Sequence, residues 1–408
     1  MGGFVIIVGS LLMADVLTWW LSARWLGRRG VGRWLRWLCH AFFGVNLSYV
    51  LMMVVLGLLG MSHGRRALEW VPTGIQAVIY VWHLFVMPMV LMLWLAAGVL
   101  AGAWQGAKLM WRGRNALVAQ EQSPAAVLPD PGVSRRDFLA ATVVLAPALA
   151  TVGLAGYGLR HTWRFRINPV ILVVAGLPAA LDGLRIAQIS DLHVGRWSTP
   201  AFLNEVVERT NALNADLVMF TGDLLDISGA DLPHALDCLL RLKSRYGLYV
   251  IEGNHDLIDN AQEFRHQIRA AGLNFLCNSA AEVKCRGVPV QILGTPWNRT
   301  EAGMERDVQS LARLRREDAF PILLAHHPHS FDAAAAAGFP LTLSGHTHGG
   351  MIRVTRELNA GSVLFRYISG VYTKGRSKLL VSNGTGNWFP LRINAPAEII
   401  HLTLRREA

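Results

Sequence analysis

Five short apolar runs in the second half of the chain each end in a residue able to bind a cation. Asp191-Leu192-His193 follows Arg185-Ile186-Ala187-Gln188-Ile189-Ser190, and Gly222-Asp223 follows Leu217-Val218-Met219-Phe220. Gly253-Asn254-His255-Asp256 follows Leu248-Tyr249-Val250-Ile251. His326 follows Pro321-Ile322-Leu323-Leu324-Ala325, and Gly345-His346-Thr347-His348-Gly349-Gly350 follows Leu341-Thr342-Leu343. Loops after the carboxyl ends of buried strands are where α/β proteins place their chemistry. An Asn amide oxygen is a neutral hard ligand for a divalent cation, and the imidazole beside it can face whatever the cation polarises. Singly, each residue has a plain explanation: Asp223 can cap a turn, and a lone His can pack in a core. Seven such groups at five successive strand ends, with His255 beside them, leave that explanation little room.

The ordered set Asp-x-His, Gly-Asp, Gly-Asn-His-Asp, His and Gly-His-x-His resembles the calcineurin-like metallophosphoesterases, over roughly residues 183 to 405. The resemblance implies two mixed sheets packed face to face, helices outside, and a site along one edge of the sandwich. It also implies two divalent metal ions. Asp191, His193 and His348 complete the first metal position, Asn254, His326 and His346 the second, and Asp223 bridges them. Mixed nitrogen and oxygen ligands suit Mn, Fe or Zn better than Ca, without choosing among them. His255 is left to protonate a leaving oxygen or hold the phosphoryl group, and Asp256 to orient its ring. His327 and His329 stay open as solvated or substrate-side residues, because the family pattern favours the imidazole two positions before Pro328. Many relatives carry a polar residue after the two glycines where this chain has Met351, so the substrate edge is expected to differ.

Between these strand ends, Ala201 to Leu213, Leu232 to Leu242 and Ala261 to Ala271 have helical periodicity, giving repeated βαβ units and a parallel sheet core. Glu282 to Leu293, broken by Arg286-Gly287, predicts a hairpin, and Met304 to Arg315 a further helix. Lys378 to Ser382 and Glu398 to Leu404 predict late strands.

The first 160 residues are of another kind. With 52% hydrophobic and 16% charged residues, the 408-residue chain is too apolar for one soluble globule. Four stretches approach the roughly 20 apolar residues a bilayer crossing needs: Gly3 to Ala23, Trp37 to Leu59, Val71 to Leu100 and Phe138 to Gly158. Arginines explain much of the net charge of +11. They lie beside these runs, as topology signals rather than a nucleic-acid patch, so no nucleic-acid partner is expected. Arg24, Arg28, Arg29, Arg33 and Arg36 follow the first stretch, only Arg65 and Arg66 the second, and Lys108, Arg112, Arg114, Arg135 and Arg136 the third. That bias puts the last domain outside the cytoplasm. Ser134-Arg135-Arg136-Asp137-Phe138-Leu139 resembles an internal twin-arginine export signal and implies the same orientation.

The fold class expected is therefore an N-terminal α-helical transmembrane bundle plus a C-terminal α/β metallophosphoesterase domain. Residues 1–104 form a three-span region, 105–137 a cytoplasmic linker, 138–160 a fourth helix and 161–408 the phosphoesterase. The expected location is multi-pass in a bacterial inner membrane, with the catalytic domain periplasmic or extracellular. Asp15, Asn46 and His83 fall within spans, as an ion path or as interhelical hydrogen-bonding glue. Cys39, Cys238, Cys277 and Cys285 contain no Cys-x-x-Cys pair, which excludes zinc-ribbon and redox readings; a Cys277 to Cys285 disulfide competes with buried thiols.

The function expected is hydrolysis of a phosphodiester, with the lipid bilayer as partner and an amphiphilic phosphate ester as substrate. The alternatives are a nucleotide-lipid pyrophosphatase such as a UDP-diacylglucosamine hydrolase, which the topology disfavours, and a non-catalytic sensor of phosphorylated ligands. A transporter with an accessory domain finds no repeat among the spans.

Overall fold

The computed structural model describes residues 2–28, 32–58, 71–114, 135–161, 163–351, 353, 355, 361, 365–389 and 391–407. The expected linker segment from Gln120 to Val133 lies outside them, as do Arg29, Arg65, Arg66 and Ser134. The chain divides into two compact units, Met1–Tyr157 and Gly158–Ala408.

The first unit is helical: α1 (Gly2–Arg28), α2 (Arg33–Leu58), α3 (Thr73–Val81), α4 (Met87–Arg114) and the start of α5 (Arg135–His161). A single π-helical turn, Trp82–Val86, joins α3 to α4. Helices cover all four stretches where crossings were expected. Among the described residues only Met87–Lys108 is long and apolar enough to cross a bilayer. That helix overlaps the later part of the expected third stretch, Val71 to Leu100. Asp15 accepts from Trp82 Nε1 at 2.7 Å and lies 3.2 Å from His83 Nε2. Asn46 donates within its own helix, to Phe42 O. The Asp15–His83 pair is thus interhelical glue, and Asn46 is not part of it.

The second unit is a two-sheet sandwich. Its strands are β1 (Phe165–Val174), β2 (Arg185–Ile189), β3 (Leu217–Thr221), β4 (Leu248–Ile251), β5 (Asn274–Phe275), β6 (Ser279–Cys285), β7 (Val288–Gly294), β8 (Phe320–Leu324), β9 (Leu341–Ser344), β10 (Gly370–Lys374), β11 (Ser377–Val381) and β12 (Ala397–Arg406). One sheet runs β1-β12-β2-β3-β4-β5, the other β10-β11-β9-β8-β7-β6. Both are mixed, with parallel centres: β2, β3 and β4 in one, β7, β8, β9 and β11 in the other. The hairpin expected around Arg286-Gly287 is β6–β7.

Alternation along the strands builds the layers, because successive side chains point to opposite faces. Ile186, Leu217, Met219, Tyr249 and Ile251 meet Val290, Ile292, Ile322, Leu324, Leu341 and Leu343 between the sheets. Their neighbours Ala187, Val218, Phe220 and Val250 face outward, onto α6 (Pro200–Ala212), α7 (Leu232–Leu240) and α8 (Ala261–Ala270) through Val206, Ala235 and Ile268. Leu293 and Leu323 cover the other outer face, against α9 (Glu301–Ala312) and α10 (Ser330–Ala336). Strands buried on both faces are the continuous apolar runs seen in the sequence. Thr199, Asn260 and Thr300 cap α6, α8 and α9 with side-chain oxygens. All four cysteines are free, including Cys277 and Cys285.

Glu252, just beyond β4, is wholly buried and takes a two-pronged contact from Arg265 of α8, at 2.6 Å on each oxygen. The same carboxylate accepts from Trp297 N at 3.1 Å, tying the two sheets' loops together. Glu252→Ala should cost about 2–3 kcal/mol, the lower side of breaking a buried pair because Arg265 is a third exposed. At about 2–4 °C per kcal/mol for this size, a thermal scan of the purified chain should fall by several degrees; an unchanged Tm would show that the pair contributes nothing.

Candidate metal centre

The loops leaving the carboxyl ends of β2, β3, β4, β8 and β9 converge, so three strands of one sheet and two of the other supply the site. Asp191, His193, Asp223, His346 and His348 all have positive φ, between 47° and 74°. Ten non-glycine described residues do so, and five of them are expected metal ligands. That is a strained region for side chains of this size. It turns each chain sharply off its strand and aims the side chain back over the sheet edge. Glycine makes the approach possible at Gly253, where a Cβ would lie 2.1 Å from Asp223 Oδ1, and at Gly345, where it would lie 1.9 Å from Ser190 Oγ.

Three groups able to hold a cation form among the described residues: Asp191 with His193 and His348, Asp223 with His326 and His346, and His193 with Asp226 and His255. Asp223 Oδ2 lies 3.2 Å from His326 Nε2 and 3.7 Å from His193 Nε2, so it stands between the clusters. His193 and His348 meet through their Nε2 atoms at 3.0 Å. Asp191 accepts from His346 N at 2.9 Å and lies 3.5 Å from His348 Nε2. Six of the seven sequence-predicted ligands therefore fall in these groups, and Asn254 lies in the loop after β4 beside His255.

The donor chemistry suits cations. Thr221 O can only accept, so His326 donates Nδ1–H to it at 2.7 Å and turns Nε2 toward Asp223. Asn254 Oδ1 and His193 Nδ1 are buried with no hydrogen-bond partner, which is costly unless another group completes them. His327 differs from His326: its Nδ1 accepts from His329 N, and burial pushes its pKa down to about 3. It packs beside His346 as a neutral ring.

Electrostatics separates the carboxyls. Burial raises Asp191 to about 6. Burial also opposes ionisation of Asp223, but His326, His255 and His193 outweigh it and hold the group well below the usual carboxylate range. For His326 burial is outweighed by Asp223, which lifts it to about 9.

His255 adjoins this cluster, its ring 4.5 Å from that of His193 and its backbone N donating to Asp223 Oδ1 at 2.8 Å. The orienting group is not Asp256, which corrects the sequence expectation. Asp256 accepts from the backbone N–H groups of Leu224, Leu225 and Gly253, so its carboxylate is spent on holding the β3 and β4 loops. Asp226 takes the role instead: its carbonyl accepts from His255 Nδ1 at 2.5 Å and its carboxylate lies 3.8 Å away. With Nδ1–H donated there, Nε2 is the nitrogen free to move a proton. Arg392 was also missed: half-buried, it donates to His348 Nδ1 at 2.8 Å and to the carbonyls of Asn383, Gly386 and Ala395. Met351 contributes backbone contacts, to His348 O and from Ile393 N.

Aromatic rings stand on two sides. Trp297 and Phe365 lie 5.0 and 5.3 Å from the His346 ring, and Trp388 lies 6.2 and 6.4 Å from His255 and His348.

Residues 184–350 match the family model of the calcineurin-like phosphoesterases. These residues thus match a calcineurin-like phosphoesterase domain, which supports a metal-dependent phosphoric-ester hydrolase. The match is shorter than the 183 to 405 expected, yet contains every predicted ligand. An uncharacterized metallophosphoesterase of Campylobacter jejuni is 30% identical over 56% of this chain and 61% of its own length. A zebrafish transmembrane protein with a metallophosphoesterase domain is 30% identical over 63% of this chain and 62% of its own. The chain thus spans about three fifths of these relatives. A Bacillus subtilis uncharacterized metallophosphoesterase is 28% identical over 67% of this chain and 98% of its own length.

Two outcomes follow from the geometry. Because His255 is held by the Asp226 carbonyl, Asp226→Asn should change turnover by less than about 10-fold; Asp256→Asn, which turns an amide N–H₂ toward backbone donors, should cost about 1–3 kcal/mol of stability. Unchanged stability with lost turnover in Asp256→Asn would restore Asp256 as the orienting group. Because His326 is lifted from 6.5 to about 9, cation uptake near neutral pH must displace its proton, so affinity weakens as pH falls from 9. Calorimetric metal titrations in two buffers of different ionisation enthalpy should register that proton, and identical heats in both would refute it.

Proposed function

We propose that this chain is a membrane-anchored phosphoesterase that uses two divalent ions to hydrolyse a phosphodiester at the outer face of a bacterial inner membrane. The observation that carries the reading is the double ligand set with Asp223 between its halves and His255 beside it. Asp191, His193 and His348 would hold one ion and Asn254, His326 and His346 the other, with Asp223 shared. Bound there, the ions would neutralise phosphoryl charge and ease deprotonation of a water. His255 Nε2 is placed to hand a proton to the leaving oxygen, and Asp226 fixes the tautomer that makes this possible. Trp297 and Phe365 on one side and Trp388 on the other offer apolar walls for two organic substituents, which favours a diester over a monoester.

Membrane anchoring is supported by the Met87–Lys108 helix and by the zebrafish relative's transmembrane description. The multi-pass arrangement and outward orientation rest on the arginine distribution. A lipid-linked substrate suits a domain that begins within a few residues of α5.

Asp223→Asn should lose both bound metal and turnover, and His255→Ala should retain metal while losing about 10²- to 10⁴-fold in rate on an aryl diester. Turnover that survives thorough chelation would defeat the two-ion reading. A reporter active only outside the cytoplasm should be on when fused after Arg166 and off near Gln120; the opposite pattern would return cytoplasmic nucleotide-lipids to consideration.

A further inference from the structure

The helical unit carries an open-sided cavity of about 630 Å³ that the phosphoesterase chemistry does not use, within the size range of sites for organic ligands. Its walls come from α1, α2, the π turn, α4 and α5, and include Leu38, Phe42, Phe43, Trp82, Trp94 and Ala148. Apart from the Thr18 and Ser22 hydroxyls and the Cys39 thiol, the lining is aliphatic or aromatic, and Thr18 already donates to Ala14 O at 2.7 Å.

One wall is held rigidly. The Trp82 indole donates to Asp15, and Phe42 and Phe43 meet its ring edge-on at 5.0 and 5.5 Å. Ile79 O can only accept, so His83 Nδ1 carries a proton, and the 3.2 Å contact between His83 Nε2 and Asp15 needs one further shared proton.

The rim is the opposite in character. Trp34 and Leu35 line the cavity between Arg33 and Arg36, while Ser22 of α1 is followed by Arg24 and Arg28. Arg24, Arg28 and Arg33 are exposed and Arg36 half-buried. Among the described residues none of the four pairs with a carboxylate. Asp15 is the only Asp or Glu in residues 1–68, and it is committed to Trp82 and His83.

We infer that this cavity binds one anionic phospholipid of the surrounding bilayer, with a hydrocarbon chain between the helices and the phosphate at the arginine rim. The inference rests on the membrane reading given above. An apolar cavity next in sequence to cations that have no carboxylate partner among the described residues, Arg24 lying over the Trp20 ring, fits an amphiphile of that charge: the rings and aliphatic side chains replace bilayer hydrocarbon, and each rim arginine adds electrostatic attraction for the head group.

The full chain, purified in mild detergent, is examined by native mass spectrometry. It is then delipidated and titrated with phosphatidylglycerol or with phosphatidylcholine of the same chains, reading Tm. One retained lipid per chain is expected, with a larger Tm rise for phosphatidylglycerol. Ala148→Trp, which fills the cavity, should abolish both retention and shift, whereas Leu100→Trp, on an exposed position of α4 outside the cavity, should keep both. Arg33→Gln and Arg36→Gln should each weaken phosphatidylglycerol binding about fivefold and leave phosphatidylcholine unchanged, with helicity by circular dichroism confirming that each variant is folded. Lipid retained by Ala148→Trp, equal response to the two lipids, or no lipid at all would overturn the inference. So would a dimer that Ala148→Trp dissociates, since a second copy would then fill the cavity. Turnover of a soluble diester is assayed separately, and its absence while lipid remains bound would defeat the phosphoesterase reading alone.

Discussion

Asp223 is an ionised carboxylate with 1% of its surface exposed, and its burial is tolerable only because positive and hydrogen-bonding groups surround it. His326 and His193 face one oxygen, and the backbone N–H of His255 donates to the other. His326 belongs to the second sheet and the other two to the first, so satisfying one charge joins the two halves of the sandwich at its edge. The neighbouring carboxyls respond oppositely. Burial lifts Asp191 to about 6 and Asp226 and Asp256 to about 7, which leaves Asp223 as the group that stays most firmly ionised. A carboxylate that keeps its charge between two clusters of imidazoles is what two neighbouring cations require.

The ligands were legible in the sequence because each stands where a buried apolar run stops, and that boundary is a local property of the chain. The helices between them were legible for the same reason: α6, α8 and α9 carry both periodicity and caps. What failed was anything decided by direction across short distances. Asp256 adjoins His255 in sequence, yet consecutive residues in a helical turn point to different sides, and three backbone donors capture its carboxylate. Asp226 reaches His255 through a main-chain carbonyl, a contact that residue identity does not encode. Arg392 is 44 residues from His348, and only the return of the chain beside β2 brings them together. The β1–β12 pairing joins Phe165 to Ala397 in parallel across most of the domain, and no local pattern announces it.

In the helical unit the difficulty was of another kind. Apolar length marks four stretches long enough to cross, and hydropathy alone does not register a π turn. Trp82–Val86 interrupts the run from Val71 to Leu100 and leaves the long apolar window on its far side. The turn also presents Trp82 and His83 side by side to Asp15, so the residue most costly to bury in an apolar bundle is met at the place where the helix departs from regularity.

The five left-handed ligands show how the two levels are coupled. Each such residue costs on the order of 1–3 kcal/mol, and such conformations persist only where the surrounding structure over-determines them. Here the determinants are the strands themselves: β2, β3, β8 and β9 are buried on both faces, and the turns after them are pinned by backbone bonds, Asp191 N to Gly222 O at 2.9 Å and His193 N to Asp223 O at 3.2 Å. Thr221 O, the last residue of β3, fixes the His326 ring of the opposite sheet. Rigid cores therefore hold a strained edge, and the strain is concentrated in the residues whose side chains must converge. A looser sandwich of the same composition would relax these turns, separate the imidazoles from Asp223, and lose the site before it lost the fold.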